Sequence, residues 1–381
     1  QHTAAHHNSQ NIKPCPVHRQ HPPITSGSIK HIRSDRHTYL FFSMNAVKNI
    51  LPSVSYSYIF RMLSPIRPTG DERFMSGWLA LLIGITLLLG GIMALRNGLE
   101  RAFGHKMRPF LLAAAGTPYR GLLAGLFTAA LLQSSTAVSL IAIGLVSASC
   151  LTFRQALGLI LGANIGTCST VQIMTLSLPA EYIFPAAAVA LILTFFRPIR
   201  YYAMAVAGLL ALFTALSLLG TGVKALLSES SLHALLLSAN TEPLYALAAG
   251  IGVTFLFQSS SAATAILMTL AEEGLVHLTT AAYIVYGNNI GSCLSSLVVS
   301  IVTPPAARQV AAAHILLNII GVVIFWPLTP QLVHFTQWVT TDFAAGVAFL
   351  HTIFNVLSSL LVLPFIHRFA QLIESIVPGK R

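Results

Sequence analysis

Two clusters of neutral polar side chains sit inside otherwise apolar sequence. Gln133-Ser134-Ser135-Thr136 lies in the middle of the apolar run 121–150, and Gln258-Ser259-Ser260-Ser261 lies in the middle of 245–275. Serine and threonine hydroxyls both donate and accept hydrogen bonds, and they cap helix N-termini well. A helix starting at about Ser135 or Ser260 would carry unpaired N–H groups and partial positive charge at its tip. Such a tip holds an anion, and two tips meeting near mid-membrane would hold one with no Lys or Arg. Each cluster is followed by a glycine-rich segment, Gly162-Ala163-Asn164-Ile165-Gly166-Thr167 and Gly287-Asn288-Asn289-Ile290-Gly291-Ser292. The glycines and Asn164 and Asn289 predict helix breaks that free backbone carbonyls. Together with Gln133, Gln258, Thr167 and Ser292, those carbonyls form the neutral oxygen set that a hard monovalent cation such as Na⁺ accepts.

The two stretches are copies. Gln133 and Gln258 lie 125 residues apart, as do Asn164 and Asn289, so no gap separates the paired motifs. Chance likeness between greasy segments matches Leu with Leu. Here the polar residues and glycines match, and this points to an internal duplication built around a polar site. The plainer reading, hydrogen-bonding glue between helices, does not require both features to be duplicated together.

Composition supplies the solvent. The 381 residues are 55% hydrophobic and 9% charged, with a mean hydropathy of +0.73; a soluble domain carries about 25% charged residues. The net charge of +11 does not indicate nucleic acid, since 9 of the 22 basic residues precede Met75 and most others flank apolar runs, where the positive-inside rule puts them. No Walker A motif, Ser-His-Asp set, paired carboxylates or metal-ligand spacing occurs, so the chain reads as no enzyme, with no cofactor. Asp and Glu are absent from the predicted spans, which disfavours carboxylate proton pumping and favours coupling through neutral ligands. Cys168 and Cys293 are equivalent in the two copies and read as small buried packing residues. A smaller echo, His314 with Asn318 and His351 with Asn355, places His and Asn on one helical face; helix packing is the expected role and a proton relay the alternative.

The elements that must position these residues form an all-α polytopic membrane protein. Residues 1–74, basic and His-rich, are expected to be disordered or foreign to the native protein. Residues 75–120 hold a first span, Ser76–Leu95, and a cytoplasmic loop. Repeat 1 (121–220) and repeat 2 (245–367) each comprise a re-entrant helical hairpin and three spans, joined by an extracytoplasmic linker (221–244) and followed by a cytoplasmic tail (368–381). Thirty residues cannot supply two full spans and a turn, so the hairpins are read as entering and leaving by one face. The crossings between equivalent points are odd in number, and the two repeats are therefore expected to be inverted.

The duplicated QSS clusters with their GxNIG(T/S) helices resemble the type II sodium–phosphate cotransporter family in its short bacterial form, over roughly Met75–Pro364. The likeness includes the Ala-His-x-x-x-Asn helix at Ala313–Asn318; Thr136 and Ser292 depart from the family's usual Ser and Thr while keeping a hydroxyl. The resemblance implies Na⁺-coupled movement of inorganic phosphate across a bacterial inner membrane. Carried over by position, Ser134, Ser135, Thr136, Ser259, Ser260 and Ser261 would hold phosphate. Gln133, Asn164, Thr167, Gln258, Asn289 and Ser292 would hold Na⁺. The partners implied are phosphate, Na⁺, the lipid bilayer, a second copy of the chain and a phosphate-transport regulator supplied in trans. Another small oxyanion or dicarboxylate is the alternative substrate, and a non-transporting phosphate sensor or scaffold the alternative class.

Overall fold

The computed structural model describes residues 70–176, 178–226 and 238–378; the expectations for residues 1–69 lie outside the described residues. Every described element is helical. Helix α1 (Gly70–Ala114) does not stop at Leu95 but continues unbroken for 45 residues, through the expected loop and past Pro109. Asn97 and Gly98 could end a helix there, but Gly98 instead packs against the backbone of Tyr201 and Ala205, and Leu99, Glu100, Arg101 and Ala102 are good helix formers. At 1.5 Å per residue α1 is about 67 Å long, roughly twice the thickness of a hydrocarbon core.

Each hairpin is a 15-residue helix, a two-residue turn and a 13-residue helix. The first pairs α2 (Pro118–Leu132) with α3 (Ser135–Ser147). Helix α4 (Phe153–Gly166) follows, started by a reciprocal cap between Thr152 and Gln155, then the short α5 (Cys168–Met174). Helix α6 (Ala180–Leu193) lies where a span is expected over 182–196; its 14 residues make about 21 Å of helix, short of the roughly 30 Å of a hydrocarbon core. Helix α7 (Arg200–Leu226) lies along α1. The second hairpin pairs α8 (Pro243–Phe257) with α9 (Ser260–Glu272). The chain continues through α10 (Leu278–Ser300), α11 (Pro305–Phe325), α12 (Thr329–Val339) and α13 (Phe343–Val362). A 3₁₀ turn around Pro364 then leads to α14 (Ile366–Ile376).

Among the described residues, five helical stretches are long and apolar enough to cross a membrane: Met75–Ala114, Phe153–Met174, Arg200–Ala225, Pro305–Phe325 and Phe343–Ile376. Large apolar side chains such as Leu82, Leu191, Phe195 and Val302 are exposed, which is costly against water and natural against lipid. The protein is a multi-pass membrane protein.

The duplication is visible in packing. A Cβ at Gly162 would collide with the Leu122 carbonyl, at Gly125 with that of Leu159, and at Gly166 with that of Leu126. The second copy repeats all three encounters, Gly287 against Leu247, Gly250 against Ile284 and Gly291 against Ile251. These glycines let α2 lie on α4, and α8 on α10, at backbone contact. That role corrects the expected helix break in the second copy; in the first copy α4 does end at Gly166 and α5 starts at Cys168. Helix α10 runs straight through Gly287–Ser292, and in the first copy Thr167 still donates its N–H to the Ala163 carbonyl at 3.2 Å. The two helices that follow the hairpin turns are also treated alike, α3 packing on α11 and α9 on α13.

Candidate functional site

The two turns have the same backbone. Gln133 (φ 54°, ψ 32°) and Gln258 (φ 52°, ψ 29°) end α2 and α8 in the left-handed region. The next N–H, of Ser134 or Ser259, reaches back to the carbonyl of Ala129 at 3.1 Å or Thr254 at 3.3 Å. This is the closure that glycine normally makes at a helix C-terminus. It reverses the chain, so Ser134 and Ser259 can cap the following helices. Ser134 Oγ accepts from the Ala137 N–H at 3.1 Å, and Ser259 Oγ from the Ala262 N–H at 3.2 Å. The helices therefore begin at Ser135 and Ser260, as the sequence predicts, and both serines are buried. Ser261 is fully buried, and its hydroxyl has no hydrogen-bond partner; Thr136 is half-buried.

A cation stands at the turns, contrary to the expectation of a site without Lys or Arg. Arg96, on α1, donates from Nε to the Gln133 carbonyl at 2.9 Å and from Nη2 to Ser259 Oγ at 3.2 Å. One guanidinium thus joins both hairpins. Among the described residues the ion pairs are Arg154–Glu374 and Lys224–Glu273, and no carboxylate pairs with Arg96. In sequence Arg96 reads as a boundary charge because it directly follows the apolar run. Only the continuation of α1, and the inward reach of a long side chain, bring it to the turns.

The predicted cation ligands are arranged less evenly. Gln133 is buried; its Nε2 donates to Ser169 Oγ at 3.1 Å and to the Ala130 carbonyl, while Oε1 has no partner. Gln258 is exposed and its Oε1 accepts from Ser295. Ser169 and Ser295 escape motif reading because they lie just beyond the GxNIG segments and are not repeat-equivalent. Thr167 Oγ1 is bonded to the Ala163 carbonyl, Asn289 Nδ2 to that of Val285, and Ser292 Oγ to that of Asn289. Asn164 Nδ2 is buried without a partner. No hydrogen bond among the described residues joins Asn164, Thr167, Asn289 or Ser292 to either turn. With α10 unbroken, Asn289 frees no carbonyl. Asn288, passed over in the sequence, accepts from Thr254 and donates to Thr264, both at 3.1 Å, and so ties α8, α9 and α10 together.

His314 and His351 are buried. His314 Nδ1 lies 3.1 Å from Ser139 Oγ on α3, and Asn318 Nδ2 donates to Cys293 Sγ at 3.1 Å. Cys293 faces the His314 carbonyl and Cys168 that of His351, so the late echo occupies matched positions against the two copies.

The sequence profile of the Na⁺/Pi-cotransporter family matches residues 87–221 and, a second time, 217–358. The chain belongs to that family. It is a family of transporters and not of enzymes, and its profile finds the same two copies as the motifs. The Na⁺/Pi-cotransporter relatives include YqeW of Bacillus subtilis, a protein described as uncharacterized, 30% identical over 78% of this chain and 97% of that one. The putative inorganic phosphate export protein YjbB of Escherichia coli is 27% identical over 78% of this chain. The chain spans about half of YjbB's length, 55%. Sodium-dependent phosphate transport protein 2C of Homo sapiens is 36% identical over a shorter stretch, 23% of this chain and 15% of that one. No solved structure matches the chain.

Proposed function

We propose that the protein is a sodium-coupled transporter of inorganic phosphate, with the anion held between the two QSS turns by Arg96 and the serine-capped helix tips. The observation that carries this reading is the guanidinium hydrogen-bonded to both turns with no carboxylate beside it. An uncompensated arginine at depth in a membrane costs on the order of 3 kcal/mol on insertion scales, and a bound anion removes that cost. Its geometry suits oxyanions, because the planar donor fork matches two oxygens at once. Ser134, Ser135, Thr136, Ser259, Ser260 and Ser261 would supply further donors. Family membership and the descriptions of YjbB and protein 2C, as a putative phosphate export protein and a sodium-dependent phosphate transport protein, support phosphate as the anion and Na⁺ as the coupling ion.

For Na⁺ the reading rests on side-chain oxygens, with the buried, unpartnered Gln133 Oε1 as its first ligand. Asn164, Thr167, Gln258, Asn289 and Ser292 would complete the ligand set through their side chains after local rearrangement. The two repeats would be inverted, the first hairpin opening to the cytoplasm with the C-terminus on that side. That parity requires α6, with the turn after it, to complete one crossing. Alternating access would then move the hairpins against the remaining helices. The deciding experiment is radiolabelled phosphate flux in proteoliposomes, in both directions, with and without a Na⁺ gradient. Na⁺-dependent flux is the expected result; phosphate binding without flux in either direction would make the protein a sensor.

A further inference from the structure

We propose that the cavity between the second half of α1 and the first hairpin is an anion vestibule, which gathers phosphate-type oxyanions at one membrane face and delivers them to the Gln133 turn. The proposal rests on the transport reading above. The cavity encloses about 710 Å³. One wall is a stripe of α1, namely Asn97, Arg101, His105 and Arg108, spaced so that all four share a helical face. The opposite wall is the hairpin itself, through Leu132 of α2 and Ile141 and Leu145 of α3.

Two of the lining residues are sequence neighbours of the candidate site. Asn97 directly follows Arg96 and Leu132 directly precedes Gln133, and Arg96 and Gln133 are the pair joined by the 2.9 Å hydrogen bond. The basic stripe thus ends one residue along α1 from the arginine that holds both turns, and the proposal takes the anion across that step. Neither Arg101 nor Arg108 forms an ion pair among the described residues. Arg101 is instead held over the ring of Tyr201 at 5.8 Å, and Glu100 is the one carboxylate in the lining. Like charges lining a low-dielectric cleft focus the field and raise local counter-ion concentration and encounter rates by about 10- to 1000-fold.

Two comparisons within the molecule separate this from ordinary boundary charge. The cavity beside the second hairpin is of similar size, about 640 Å³, yet it is lined by residues such as Tyr245, Val253, Ile266 and Ile284 and carries no charged side chain. Lys106 belongs to the same basic segment of α1 but does not line the vestibule. A positive-inside signal requires only charge near the boundary; here the arginines are turned into a passage.

The test uses the full chain in proteoliposomes at low ionic strength, comparing R101E/R108E with K106E. The half-saturating concentration of inorganic phosphate is measured separately from each face, in neutral-lipid vesicles and in vesicles containing an anionic lipid. The double reversal should raise it about tenfold or more on the hairpin-1 face, with the other face and the maximal rate unchanged. Added salt should shrink the difference, and K106E should change neither face. If the double reversal fails to insert, R101Q/R108Q should show a smaller shift with the same sidedness. Equal shifts on both faces, or a matching shift with K106E, would overturn the vestibule. A shift confined to vesicles with anionic lipid would assign the stripe to lipid headgroups and also overturn it. Absence of flux in the wild-type protein would instead count against transport itself.

Discussion

Arg96 and Ser259 stand 163 residues apart in sequence and 3.2 Å apart in space. The same guanidinium holds the Gln133 carbonyl, so one side chain joins the turns of the two copies. The position 125 residues after Arg96 is Thr221, which is neutral and bonded to its own helix. The duplication is thus matched at the turns and unmatched at the charge between them. A single cation bonds both turns.

Replacing that cation should weaken anion binding at least as much as removing a turn hydroxyl. One hydrogen bond to a charged group contributes about 1.5–3 kcal/mol, so R96Q should weaken phosphate binding by roughly 10- to 150-fold. R96K should recover part of this, because a point charge lacks the fork. Equilibrium binding of labelled phosphate in detergent reads both, and wild-type affinity in R96Q would dismiss Arg96 as a ligand.

The serines divide by position in the cap. Ser134→Ala and Ser259→Ala each remove a cap bond and should lower unfolding stability by about 1 kcal/mol. Ser259→Ala also deprives Arg96 of a partner. Ser135→Ala and Ser260→Ala remove no hydrogen bond seen among the described residues. They should leave the unfolding temperature nearly unchanged while weakening phosphate about 10- to 150-fold. If thermal shift and phosphate affinity fell together at all four positions, the hydroxyls would be structural.

The helix-contact glycines make a separate prediction about stability. Gly162→Ala and Gly287→Ala force a methyl into facing backbone and should each cost about 1–3 kcal/mol. Gly252, also helical, has open space where its Cβ would stand. Gly252→Ala should be neutral or stabilising by up to about 1 kcal/mol. Thermal unfolding of the purified variants gives the ranking, and equal tolerance at all three positions would contradict the packing described.

Coupling is expected to depend on Na⁺ and to survive collapse of the proton gradient. His314 and His351 are packed against neighbouring helices, so His314→Gln should reduce stability more than it alters ion dependence. Phosphate accumulation driven by a proton gradient in Na⁺-free medium would reverse this reading and make the two histidines the candidates for a relay.

Sidedness can be read with thiols. Cys150 is exposed at the base of the first hairpin, whereas Cys168 and Cys293 are buried. With Cys15 replaced, an impermeant reagent should modify Cys150 from one face only, and Glu272→Cys, at the base of the second hairpin, from the other. Modification of both from the same face would rule out inverted repeats.

The duplication, the paired turns and the starts of α3 and α9 were legible because capping is local and polar residues stand out against apolar sequence. Gly158, Gly162 and Gly166 stand four residues apart on one helical face, and all three meet α2. The glycines also suggested a broken helix, which the first copy shows at Thr167 and the second, at Gly287 and Gly291, does not. Glycine weakens a helix by about 1 kcal/mol, yet backbone contact with α8 holds α10 straight. Arg96 was hidden for a different reason. Its meaning depends on a contact 163 residues away, and a charge following an apolar run has a sufficient explanation in topology alone.

Gln133 and Gln258 take a backbone conformation that costs a side-chain-bearing residue roughly 1–2 kcal/mol and glycine almost nothing. The protein therefore carries, at both turns, a conformational debt that a single substitution would cancel. Directed evolution for heat resistance alone would drift toward glycine at 133 and 258, and would yield tougher proteins lacking the amide that reaches Ser169 or Ser295. Any thermostabilised variant raised for crystallisation should have these two codons checked before its structure is taken to represent a working transporter.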